Sequence, residues 1–224
     1  MKTGLLNPTP LTPDAMGHAP IVDLVDMAPG HAESAALLAK ARAFAEPLLL
    51  TERFETGEDA LAHADGVSLI LHGIGAPPSL RGVAYLVYAS QYLTQPEEII
   101  GRAFGADEAA LVAYTRKLVQ VQRSTRDTLG DDADGPLAAE QIERIRKVLL
   151  AFARDLRVVL LRLASRLQTL RYYAASKQPC PRSLARESMQ VFAPLANRLG
   201  IWQIKWELED LSFRFLEPDT YKQT

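Results

Sequence analysis

The run from Ile142 to Leu170 constrains the fold more than any other part of the chain. Ile142, Ile145, Leu149, Phe152, Leu156, Val159, Leu163, Leu167 and Leu170 recur at alternating steps of three and four. That spacing lines one face of a helix, because a helix turns once every 3.6 residues. Asp155 interrupts the run, and its short carboxylate can cap a new helix, so the stripe predicts two consecutive helices. An apolar stripe of this length must be covered by other helices, which makes an all-α domain the expected class.

The rest of the chain fits that class. A helix is predicted from His31 to about Leu50, with Pro47 ending or kinking it, and another from Glu58 to about Leu71, stopped by Gly73, Gly75, Pro77 and Pro78. Ser79 would cap an almost wholly apolar helix from Leu80 to Tyr92, whose uniform apolarity places it at the centre of the core. Pro96 opens a short helix to Phe104, and Asp107 caps one from Glu108 to about Val121. The acidic, turn-rich stretch from Ser124 to Pro136 reads as an exposed loop. Ser183 to Phe192 reads as a helix ended by Pro194, and Gly200 closes the turn after Leu195. Ile201 to Leu216 forms a last helix with Ile201, Ile204, Leu208, Leu211 and Phe215 on one face, widened by Trp202, Trp206 and Phe213. Residues 1–30 hold five prolines and read as a flexible lead-in.

Composition narrows the function. The single cysteine, Cys180, excludes an intrachain disulfide, and no Cys or His lies near it at zinc-site spacing, so a reducing, cytoplasmic setting is expected. No run approaches the roughly 20 apolar residues that cross a bilayer. Net charge is only -2, but basic residues crowd between Gln141 and Arg186. Such a stripe can bind RNA or a nucleotide, or it can lie on the wet side of amphipathic helices and pair with acidic neighbours.

No complete active site emerges from the residues alone. His63 and His72 lack the spacing that sets two ligands on one helical face, and no His-Asp dipeptide, nucleophile elbow or phosphate-binding glycine loop occurs. Glu207 and Glu209 read as solvated charges.

One segment is distinctive. From Leu184 to Glu217, with VFAPLANRLGIWQIKWELEDLSFRFLEP at its centre, the chain closely resembles the region that joins the hydrolase and synthetase domains of long RelA/SpoT-type alarmone enzymes. KVLLAFARDLRVVLLRLASRLQTLRYY looks like the same family. The resemblance implies an HD-domain-like helical bundle with a C-terminal linker helix. It divides the chain into the lead-in 1–30, an HD domain 31–195, and linker helices 196–224 leading to a synthetase domain.

In that family the bundle is a Mn²⁺-dependent phosphohydrolase of (p)ppGpp. Laid along this chain, the first metal-binding His falls on His63 and is kept. The His-Asp pair falls on Val87 and Tyr88, the acidic pair that follows on Gln91 and Tyr92, and the last ligand Asp on Ser165. In the nucleotide pocket an Arg-Lys falls on Phe54 and Glu55, and the later His-Asn and Thr fall on Gln168, Thr169 and Tyr172.

These changes imply a degenerate pseudo-hydrolase, with no metal or cofactor of its own and no enzymatic activity. It would regulate in cis the synthetase of a GTP pyrophosphokinase of the stringent response, which would itself use Mg²⁺. Lys205, Trp206, Leu208, Leu211 and Phe215 would connect the domains. Expected partners are the chain's own synthetase domain, the ribosome and tRNA for the whole protein, and a second copy through exposed apolar area, with no membrane. The alternatives are a basic RNA- or nucleotide-binding module, or a residual metal-dependent hydrolase using His63 with His72 and Asp65.

Overall fold

The computed structural model describes residues 31–129, 137–152 and 154–221. Among them the helices are α1 (His31–Leu49), α2 (Ala60–Gly73), α3 (Pro78–Ala89), α4 (Pro96–Phe104), α5 (Ala106–Leu129), α6 (Leu137–Phe152), α7 (Leu156–Ser176), α8 (Arg182–Glu187), α9 (Ala193–Arg198), α10 (Trp202–Leu216) and α11 (Pro218–Tyr221). No strand occurs among the described residues, and the antiparallel bridge between Arg53 and Asp59 is isolated. The all-α expectation holds. The lead-in 1–30 lies outside the described residues, as do 130–136 of the expected acidic loop.

Helix α3 is the centre of the bundle. Every residue from Gly82 to Ala89 is buried, as its apolarity predicts. Helices α1, α2 and α5 pack around it, and α7 bridges α2 to α10. The approach of α1 depends on Gly82, where a Cβ would lie 2.6 Å from Leu37 Cδ2 and 3.3 Å from the Leu38 Cα. Leu86 on α3 and Leu160, Leu163 and Leu167 on α7 are among the fully buried side chains. Emptying any one of these positions costs about 2–5 kcal/mol. The core runs without interruption from Ala41 to Leu211.

The predicted division at Asp155 is present. Its carboxylate accepts a hydrogen bond from the Arg157 backbone N–H at 3.0 Å and caps α7. Lys177 closes the same helix in the left-handed conformation. Gly200 likewise ends α9 at φ 70°, with Ile201 N–H bonding Ala196 O and Gly200 N–H bonding Asn197 O in a Schellman arrangement.

Other boundaries differ. Helix α3 starts at Pro78 rather than after Ser79, because proline suits the first turn, and the Ser79 N–H is taken by the Ser34 hydroxyl at 2.8 Å. Its α-helical part ends at Ala89, and one 3₁₀ turn follows over Ser90–Tyr92. Helix α5 runs past Val121 to Leu129, so the first part of the expected loop is helical.

Pro194 does not end a helix either. A π turn over Ser188–Phe192 joins α8 to α9, and Ala193 N–H reaches back to Ser188 O. Pro194 has no N–H to offer the Gln190 carbonyl, which instead accepts from Arg146 Nη2 at 3.2 Å.

On α10, Ile204, Leu208 and Leu211 face inward. Trp202 and Trp206, expected to widen that face, are 51% and 60% exposed and project from the opposite side with Phe213.

Candidate functional site

A tight turn builds the site. Gly57 adopts φ 86°, which favours glycine, and Phe54 N–H bonds Glu58 O while Gly57 N–H bonds Phe54 O. This turn drops Glu58 beneath the first turn of α2 and beside His63. Both residues are only 3% exposed.

Glu58 Oε2 lies 2.7 Å from His63 Nδ1. A carboxylate can only accept, so this contact assigns the proton to Nδ1 and leaves Nε2 as an acceptor. Two hydroxyls face that nitrogen at 3.2 Å each, Tyr88 from α3 and Ser165 from α7. The other Glu58 oxygen accepts from Gln168 Nε2 at 2.7 Å. Gln168 reaches it by crossing Gly66, where a Cβ would lie 2.1 Å from its Oε1. Phe54 stands edge-on to the imidazole, with ring centroids 5.1 Å apart. Burial pushes the Tyr88 phenol up to about 12, so at neutral pH it stays a hydroxyl.

His63, Tyr88 and Ser165 open onto a cleft of about 1080 Å³ between α2, α3, α5 and α7. Its cations are Arg116, Lys117 and Arg123 of α5 and Arg162 and Arg166 of α7, against the acids Glu55 and Glu97. Glu55, expected to repel phosphates, forms an ion pair with Arg123 at 3.3 Å. Arg166 is held by Glu187 at 3.0 Å and stacks 4.2 Å from the Phe192 ring.

The basic stretch therefore divides. Arg162 and Arg166 turn into the cleft, while Arg144, Arg146, Arg157 and Arg171 pair with Glu140, Glu143, Asp155 and Glu207. Glu207 and Glu209, expected as solvated charges, are half-exposed and in ion pairs with Arg171 and Lys205.

Most of the other expected site positions border the same cleft, and the rest lie away from it. Val87 and Gln91 line the cleft, and Tyr92 is half-buried beside it. Thr169 lines the cleft and donates to the Ser165 carbonyl at 3.1 Å, and Tyr172 takes a hydrogen bond from Gln178 near Gly57. His72 is exposed against Arg81, and Asp65 is engaged by Arg42 and Tyr85, so neither joins His63 and that alternative ligand set is not assembled. Leu208 and Leu211, expected at a domain connection, are buried in this chain's own core. Lys205 and Phe215 are half-buried, and Trp206 alone of the five is freely exposed.

Sequence reasoning did not single out Glu58 and the α5 cations. Glu58 stands five residues before His63 across a non-helical turn, so no helical spacing pairs them. The α5 arginines lie in a polar segment with no motif.

A divalent ion does not fit this corner. Nε2 faces two neutral hydroxyls, and the described residues contain no group of three or more His, Cys, Asp or Glu side chains able to hold a metal.

Residues 41–202 match the family described as HD domain. The chain belongs to the HD-domain family. The chain is 36% identical over 187 residues to a probable guanosine-3′,5′-bis(diphosphate) 3′-pyrophosphohydrolase of Synechocystis, a match covering 84% of this chain and 23% of that protein. The pyrophosphohydrolase of Aquifex aeolicus is 32% identical over 87% of the chain and 26% of its own length. A GTP pyrophosphokinase of Photobacterium angustum is 44% identical over 95 residues, 42% of the chain and 13% of that protein. The chain thus spans 23% and 26% of the first two curated relatives.

The expectation that this HD domain is no enzyme is corrected by these relatives, since proteins matched along most of it are named hydrolases. The physical reason is local. A histidine held by a buried carboxylate faces the cleft. No helix of the described residues is long and apolar enough to cross a membrane.

Proposed function

We propose that this HD domain serves (p)ppGpp metabolism by binding guanosine 3′,5′-bis(diphosphate) in the cleft and releasing pyrophosphate from its 3′ side. The observation that carries the reading is the Glu58–His63 pair at the floor of a cleft walled by Arg116, Lys117, Arg123 and Arg162. The cations supply the field for a polyanion, and a site of about 1080 Å³ accommodates a nucleotide. The carboxylate holds the proton on Nδ1, so Nε2 is the nitrogen that can take a proton from a nucleophile. The names of the relatives agree with this chemistry.

The test is pyrophosphate release and equilibrium binding with labelled ppGpp. Saturable binding that weakens with salt is expected, because screening cuts the cation field. Release should fall by about 10²–10⁴-fold in His63→Ala, the usual worth of a general base. No binding and no release would overturn the reading.

A second role rests on α10. Trp202 and Trp206 are exposed side by side, with ring centroids 6.4 Å apart. In a longer RelA/SpoT-type protein this face would bear on the adjoining synthetase and regulate it in cis. Substituting both tryptophans with alanine in such a protein should change its GTP pyrophosphokinase rate, and an unchanged rate would dismiss the role.

A further inference from the structure

The His63 corner places side chains in the order carboxylate, imidazole, hydroxyl. Glu58 Oε2 is 2.7 Å from Nδ1, and Ser165 Oγ is 3.2 Å from Nε2. The carboxylate is itself oriented by Gln168. All three residues are buried, and both His63 and Ser165 border the cleft. This is the connectivity by which a serine hydroxyl is made nucleophilic, recognised by geometry rather than by position in the chain.

The geometry points to Ser165 as a nucleophile activated by His63, with Glu58 as the positioning residue, in a relay that works where a divalent ion does not fit. The inference rests on the pyrophosphohydrolase reading for its substrate. As Ser165 Oγ bonds to the phosphorus attached to O3′, Nε2 takes the hydroxyl proton. The P–O3′ bond breaks, and O3′ leaves with its electron pair and receives that proton. The diphosphate is then held on Ser165. Nε2 next takes a proton from water as the water oxygen bonds to the same phosphorus. The Oγ–P bond breaks, Oγ is reprotonated from Nε2, and pyrophosphate departs. Tyr88, whose hydroxyl faces the same nitrogen, competes with Ser165 for it.

The chain is treated with a fluorophosphonate probe in the presence of EDTA, the labelled residue is mapped by peptide mass spectrometry, and ppGpp turnover is followed separately with and without Mn²⁺. The expected result is a label on Ser165 that ppGpp retards. It should be absent in Ser165→Ala and slowed about a hundredfold or more in His63→Ala. Labelling should persist in Tyr88→Phe, which also shows that disturbing the corner does not by itself unfold the chain. Glu58→Gln should slow labelling while leaving ppGpp affinity in place, a separation that a merely structural role would not give.

A label on Tyr88, or none at all, overturns the relay. Turnover that requires Mn²⁺ without a Ser165 label overturns the relay and leaves the hydrolase reading standing. A Ser165 label without turnover upholds the relay and removes ppGpp as its substrate.

Discussion

Gly66 shows how much of the site depends on a single hydrogen atom. The Gln168 carboxamide lies across it to reach Glu58, and a methyl group there would overlap the amide. Gly66→Ala should therefore displace Gln168 and slow turnover by loosening Glu58. Its stability should fall, because leaving the buried Glu58 carboxylate short of a partner costs about 1–3 kcal/mol, more than the roughly 0.5–1 kcal/mol that alanine gains over glycine in a helix. Thermal melting beside the rate checks this, and an unchanged or higher melting temperature with an unchanged rate would contradict it. Cys180 gives a second residue-scale prediction. Burial pushes its thiol up to about 12, so the reactive thiolate is scarce at pH 8, at about one part in 10⁴. Iodoacetamide should modify it slowly in the native chain and quickly in urea, whereas equal rates would show that the fold does not hold the thiol. At this scale the resemblance assigned His63, Tyr88 and Ser165 to ligand positions of the family, and in the structure Tyr88 and Ser165 each lie 3.2 Å from His63 Nε2. The partnership of Glu58 and Gln168, 110 residues apart, was not legible because it depends on a turn and on a glycine gap in a facing helix.

The elements were legible where a stripe or cap defines them and obscure where backbone satisfaction comes from elsewhere. The division of α6 from α7 at Asp155 and the burial of α3 followed from pattern alone. Helix α5 overran its expected end because its polar second half contains neither glycine nor proline before Leu129. The π turn was hidden because its cause is tertiary: Arg146, from another helix, takes the carbonyl that Pro194 leaves without an N–H. Phe192, the last residue of that turn, is fully buried and carries the Arg166 guanidinium on its ring face. Phe192→Ala should cost about 3–5 kcal/mol in urea unfolding, as a cavity and a lost cation–π contact coincide. A cost below about 1 kcal/mol would mean that the turn can collapse onto the gap.

At the scale of the molecule one core links Ala41 to Leu211, so the region expected as a linker is packed into the bundle that carries the cleft. Helix α10 contributes Ile204, Leu208 and Leu211 to that core and leaves two tryptophans outside. A sequence stripe identifies the apolar residues of such a helix but not which of two apolar sides is covered, and for that reason Trp202 and Trp206 were placed on the wrong face. The cleft takes its basic wall from α5 and α7 and its floor from His63. Pyrophosphate release from ppGpp by the wild-type chain and by His63→Ala, each with and without Mn²⁺, tests this cleft as the place of hydrolysis. Release by the wild type that the substitution reduces at least about a hundredfold is the predicted result. Absence of release from both, or equal release from both, would overturn the proposed function.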